Sequence, residues 1–343
     1  MPAGNRAFRY LQVGKQGNVG ALGSSVAASA ILKPDAGTLK LTQNLQFHEQ
    51  ELEVAHLAAY HGSELLAQGP YDVTYNADAT YQQILYLLEG IIEPATITTP
   101  TNGVLTRLWT YDPPWTSAPG QRVYTLEFGD DLIAYTIDTC YLESMQMTLG
   151  LAAPVKVSST FKGFNRTEEA KTAALTVPTT ETMISGMATL YMEDTGAAIS
   201  GAAPTEIADV LIDGQLTINS GLKAERRLNG DLGLAVIAQD RRQMIEFTGT
   251  AELNSDSDAW AGLLDANTKK FFKLQVQGSL IESVTPDYFQ KFEVMWCGRF
   301  RSFDPFGELA GINTVPFSTN SEFDSTWGKE ALVRVQTTVT TLP

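Results

Sequence analysis

Three histidines, His48, His56 and His61, lie close together in the chain. Imidazoles grouped in this way can hold a metal ion or move protons. A helical zinc site needs His-Glu-x-x-His, which sets both rings on one helix face. Here His48-Glu49 is followed by Gln50-Glu51-Leu52, and His56 and His61 are five positions apart, so the pattern fails. Surface histidines among glutamates are the simpler reading. Asp130-Asp131 follows Gly129, and paired carboxylates serve as acid and base only where their surroundings differ. After a glycine between strands they read as a solvated turn. Asp256 and Asp258 lack the EF-hand continuation with its sixth-position glycine, so they are expected to cap a helix. The segment Val13–Gly23 holds four glycines but places Gly14-Lys15 ahead of Gln16, whereas a phosphate loop ends on Gly-Lys-Ser/Thr entering a helix. There is no Gly-x-Ser-x-Gly elbow and no zinc-type Cys/His spacing. A glycosidase pair has a geometric signature, and nothing here favours one. The expectation is a non-enzyme with no catalytic residue, metal or cofactor.

The elements that must position these residues are mostly strands. Tyr124, Leu126 and Phe128 alternate with Thr125 and Glu127, and Met145, Met147 and Leu149 repeat the pattern. Val155, Val157 and Phe161, then Phe272, Leu274 and Val276, then Val333, Val335 and Thr337 do the same. A period of two means sheets with one buried face. Two helices interrupt them. Thr80 and Gln83 form a capping box ahead of the stripe Tyr81, Ile84, Leu85 and Leu88, and Gly90 is the expected stop. Trp260, Leu263 and Leu264 form a shorter stripe. Each helix is followed by a strand-rich stretch with one cysteine, Tyr135–Tyr141 and Phe292–Gly298. This faint duplication, with extra first-half segments at Thr98–Gly103 and Asp112–Arg122, implies pseudo-symmetry and points to assembly. Cys140 and Cys297 are expected to be free buried thiols in separate cores.

The length suits two domains. The expected division is an extended N-terminal arm over 1–45, a first β domain over 46–165, a Thr/Ala-rich connection over 166–185 and a second β domain over 186–343. Residues 46–62 are ambiguous between helix and strand, with a lean to strand. Asp213-Gly214 and Asn229-Gly230 read as hairpin turns. The net charge of −15 argues against gripping nucleic acid, which needs Lys/Arg to neutralise phosphates. The N-terminus lacks the apolar core of a signal peptide, and Gln16–Leu32 is too polar to span a membrane, so a product of a reducing cytoplasm is expected. Trp109, Tyr111, Trp115 and Tyr124 cluster around the stiff segment Asp112-Pro-Pro-Trp115; such aromatics bind sugar or protein or cap the end of a barrel, and a loop projecting towards a partner is the leading expectation.

The arm Gln12–Leu32, the run Tyr71–Glu93, and Tyr124–Gly129 with Tyr135–Thr148 and Pro154–Gly163 resemble the tail tube proteins of long-tailed bacteriophages, of the longer, duplicated kind. With the matching second-half elements, the resemblance covers most of the chain. It implies a mostly β fold: two tandem sandwich or barrel domains, each flanked by a short helix, plus the arm. It implies six domains around a channel, hence a trimeric ring whose inner sheets join into one barrel. Rings stack into a tube in the virion tail that conducts genome DNA without binding it specifically. Tape-measure, terminator and tail-tip proteins are the other implied partners, and the two-domain length fits a flexible, sheathless tail. DNA carries about one charge per 1.7 Å, so a neutral or negative wall lets it slide. The polar faces of the long alternating strands are expected to line that channel. Tyr10, Val13, Leu22, Trp109 and Trp115 are the candidate contacts between subunits or rings. Two alternatives stand beside this reading: a ring-forming tail-tip or baseplate hub, and a carbohydrate-binding β-protein using Trp109, Tyr111 and Trp115.

Overall fold

A computed structural model describes residues 9–22, 24–48, 64–114, 116–117, 120–130, 132–201, 203–207, 211–225, 236–239, 244–304, 307–309 and 311–343, with only the backbone at 46–48, 64–68, 255 and 256. The chain is mostly β with minor helix. Its first half contains β1 (Tyr10–Asn18), β2 (Ala30–Leu32), β3 (Lys40–His48), β4 (Glu64–Asp78), α1 (Ile84–Ile91), β5 (Thr96–Thr98), β6 (Arg107–Tyr111), β7 (Arg122–Gly129), β8 (Ala134–Leu149), β9 (Lys156–Gly163) and β10 (Asn165–Glu168). Its second half contains β11 (Ala188–Glu193), α2 (Gly196–Ile199), β12 (Leu211–Asn219), β13 (Leu222–Glu225), β14 (Val236–Gln239), β15 (Met244–Glu252), α3 (Ser255–Asp265), β16 (Lys270–Glu282), β17 (Tyr288–Phe303), β18 (Gly307–Leu309), β19 (Ile312–Ser321) and β20 (Ala331–Thr337).

The strand ladder is written twice. In the first half β3 pairs β4, β4 pairs β9, β9 pairs β8, and β8 pairs both β7 and β10, with β1 outside β7. In the second half β12 pairs β15, β15 pairs β19, β19 pairs β17, and β17 pairs both β16 and β20, with β11 outside β16. All these pairs are antiparallel, and equivalent residues meet. Val73 faces Phe161 as Phe247 faces Thr319, and Ala77 faces Val157 as Ala251 faces Val315. Cys140 faces Tyr124 as Cys297 faces Phe271. Just past each cysteine the long strand leaves the outer sheet and joins the inner one. Both thiols are free and buried. Between the layers lies a core with Tyr75, Phe161, Phe247, Trp296 and the whole of α1 inside it.

Alternation is the physical cause of these layers. Met145, Met147 and Leu149 are buried, as are Val155, Val157 and Phe161, while Lys156 and Ser158 are exposed. β7 departs from the simple pattern, since Thr125 and Glu127 are buried as well. The Glu127 carboxylate accepts from the backbone N–H of Ala28 and Thr172 and from the Thr172 hydroxyl, so polar partners cover its second face. The Thr80 hydroxyl accepts from the Gln83 N–H as expected. The reciprocal half of that box is absent, because the Gln83 amide instead donates to Ile31 O and accepts from Lys33 N. Gly90 does not stop α1. It lies within the helix, where an added Cβ would come 2.6 Å from Leu142 and 2.9 Å from Tyr124, so it allows close helix–sheet approach. At α3 the cap is Asn254, whose Oδ1 accepts from Ser257 N while Ser257 Oγ accepts from Asn254 N; Asp258 plays no part in this reciprocal pair.

Several expected boundaries change. Residues 10–45 are not a free arm: β1 is a ladder strand between β2 and β7. Its glycines permit the chain to double back closely, since a Cβ on Gly14 would come 2.6 Å from Ala27 O. The connection over 166–185 is mostly exposed but tied down: it begins with β10, bridges at Thr80–Thr182 and Pro154–Ile184, and buries Met183. Asp213-Gly214 lies inside β12 beside a bulge and is not a turn. Asn229-Gly230 and most of the ambiguous 46–62 segment lie outside the described residues; its start, to His48, is strand. The first half also inserts β5 and β6 between α1 and β7, and β6 pairs with β20 of the second half.

Candidate functional site

Few of the residues singled out for chemistry fall among the described side chains. The side chain of His48, and all of His56, His61 and Asp131, lie outside the described residues. Asp130 accepts from the N–H groups of Leu132 and Ile133, and these bonds hold its carboxyl below the usual range; this is a turn carboxylate. Among the described residues no cluster of His, Cys, Asp or Glu is arranged to hold a metal ion. No described helix is long and apolar enough to cross a membrane.

The candidate contacts fare unevenly. Val13 is 1% exposed and faces Ala30 and Leu126, so its own chain covers it. Trp109 is also 1% exposed, and its indole N–H donates to Val339 O at 2.9 Å. Tyr111 is buried, with its hydroxyl donating to Leu85 O. Trp109 ties the inserted strand β6 to the second half and Tyr111 ties it to α1, and neither offers a face to a sugar or partner. Tyr10 is half-buried beneath the Lys171 ammonium, and Leu22 is half-buried against a small core of Val123, Tyr141, Leu222 and Ile237. Trp115 lies outside the described residues.

What the fold does build is one broad surface. β8 and β12 pair antiparallel, with Met145 opposite Ile218 and Met147 opposite Leu216. This junction joins the inner sheets of both halves into a continuous run of eight strands: β3, β4, β9, β8, β12, β15, β19 and β17. Its apolar face is roofed by the outer sheets with α1 and α3. Trp260 of α3 stacks on Phe300 and meets Phe317 edge-on. The other face carries Thr42, Asn44, Thr74, Asn76, Ser158, Thr160, Gln146, Thr148, Gln215, Thr217, Thr248 and Ser318, all partly or fully exposed. Charges there have both signs: Lys40, Asp72, Asp213, Glu246 and Glu252 share the face with the pairs that Lys156 and Lys162 make. Lys156 meets Asp35 and Asp78, and Lys162 meets Glu143 at 3.1 Å. Carboxylates are at least as numerous there as ammonium groups. Short hydrogen-bonding side chains and scattered charges make this a polar, hydrated face with no concentration of basic groups.

The ends of the module are built differently. Glu282, at the end of β16, is cradled by the loop after β5. It accepts from the backbone N–H of Val104, Leu105 and Thr106 and from the Thr106 hydroxyl at 2.6 Å, which pulls its carboxyl down to about 2. The same loop meets the β16–β17 turn through Asn102 to Thr285 O and Tyr288 to Thr101 O. It displays Val104 and Leu105, 72% and 58% exposed. Sequence reasoning missed Glu282, because its partners lie far away in the chain and no local motif marks it. It likewise missed the buried Glu89, whose carboxyl is raised by burial against the opposing pull of Lys15 and Arg122.

Comparisons with models of known protein families and with curated protein sequences find no match.

Proposed function

We propose that this chain is the wall subunit of a hollow, self-assembled tube, the role that its resemblance to phage tail tube proteins implies. One observation carries the reading: the chain already joins two versions of one module, edge to edge, through β8 and β12. Repeating a head-to-tail junction of that kind generates a ring when the rotation closes. Three chains supply six modules, and a closed barrel leaves no strand margin exposed to aggregation. The face that would turn inward is the polar, hydroxyl- and amide-rich one, whose charges do not favour the basic sign. DNA binds proteins largely through Lys and Arg that displace its counterions, and this face supplies few unpaired cations. Stacked rings would then form a channel in a virion tail, with tape-measure, terminator and tail-tip proteins as partners. Burial of Trp109 and Tyr111 leaves the carbohydrate-binding alternative without two of its three aromatics.

Sedimentation velocity over a rising concentration series tests the proposal. Trimers and larger species in mass action are expected. A single monomeric boundary at every concentration would overturn it, and rings that never lengthen would favour a hub.

A further inference from the structure

We infer that copies of this chain join through the outer margin of β3 on one copy and residues 299–303 of β17 on the next, in the register that β12 and β8 use inside the chain. The inference rests on the tube-wall reading and assigns the strands and residues that would make the junction.

The argument is one of equivalence. β3 stands to β4 as β12 stands to β15: Leu41 and Gln43 face Val73 and Tyr71, where Leu216 and Ile218 face Phe247 and Ile245. β17 stands to β19 as β8 stands to β9: Phe303 faces Phe317 where Met145 faces Ser159, and each ladder slips just before that point. Inside the chain, β12 therefore occupies the margin of β8. Among the described pairings, β3 bonds only to β4, and β17 beyond Gly298 bonds only to β19. Each is one side of the same junction without its mate. Burial points the same way. Leu216 and Met145, sealed by the internal junction, are 0% exposed. Their counterparts Leu41 and Phe303 pack on the same core and are only partly covered. Thr42, Gln43, Asn44, Arg301 and Ser302 are exposed or part-exposed along these margins. Copying Ile218 opposite Met145 and Asn219 opposite Ser144 sets Gln43 opposite Phe303 and Asn44 opposite Ser302. The second pair falls on the polar face, so that face continues across the seam.

Directly opposed residues of an antiparallel pair have the spacing a disulfide requires. The test uses the full chain carrying Asn44→Cys and Ser302→Cys, mildly oxidised and run on non-reducing gels, alongside each single variant. A shifted control carries Thr42→Cys and Ser302→Cys. A second in-register pair, Gln43→Cys with Phe303→Cys, covers the case in which the first fails to fold. The expected result is a covalent ladder that ends at the closed ring for the in-register pairs and monomer for the single variants and the shifted pair. Assembled particles by sedimentation whose in-register pairs stay unlinked, or link no better than the shifted pair, would overturn the register and leave the wall reading standing. Absence of any assembly before oxidation would overturn both.

Discussion

At the residue scale, both thiols are buried. Cys140 and Cys297 are both 0% exposed, and burial pushes the Cys297 thiol up to about 12 and the Cys140 thiol well above its usual value. Thiolate is the reactive form, so both should resist a thiol reagent at neutral pH and react only on unfolding. Mass spectrometry after native and denaturing labelling checks this, and rapid native labelling of either one contradicts it. The cysteine spacing was legible because each sits at the same place in a repeated strand. Gly90 was misread, since a helix followed by glycine looks like a stop, and only the third dimension shows Leu142 and Tyr124 pressing on it. Gly90→Ala should destabilise the fold by about 1–3 kcal/mol, the range for overpacking a core, as measured by denaturant unfolding. An unchanged midpoint would refute the close approach.

At the element scale, strands and their buried faces were readable wherever apolar residues alternate. Phe272, Leu274 and Val276 are all buried, as are Val333 and Val335. The elements that escaped were those whose sequence is shaped by a neighbour. β1 looked like a flexible arm because the glycines that let residues 21–27 cross it also erase its apolar alternation. β6 looked like a projecting aromatic loop because its partner, β20, lies at the far end of the chain. Trp109→Ala should cost about 3–5 kcal/mol, as for other buried aromatics, and should raise amide exchange along both β6 and β20. Exchange confined to β6 would show that the strand is not a tie between the halves.

The Glu282 clamp makes a pH prediction at the same scale. A carboxyl held down to about 2 stabilises its loop fully above the usual value near 4.5, and that contribution is lost as pH falls towards 2. Amide protection at Val104, Leu105 and Thr106 should therefore fade across that window. In Glu282→Gln it should already be weak at neutral pH and change little on acidification. Equal protection in both proteins would show that the carboxylate does not hold the loop.

At the scale of the whole molecule, the duplication was visible in outline from the helices and cysteines. What joins the halves was not, because strand order is a long-range property that β8 and β12 do not announce locally. The eight-strand sheet has one covered face, one polar face and two margins. A monomer in solution would leave those margins as ready templates for irregular pairing. Closure into a ring, as proposed, would give them a partner with the same geometry that the chain already uses once internally.

Negative-stain microscopy of the purified, concentrated protein viewed end-on tests this central claim most directly. A wall subunit should give round profiles with an open bore and three-fold or six-fold order. Solid particles, or discrete single copies at every concentration, would contradict it.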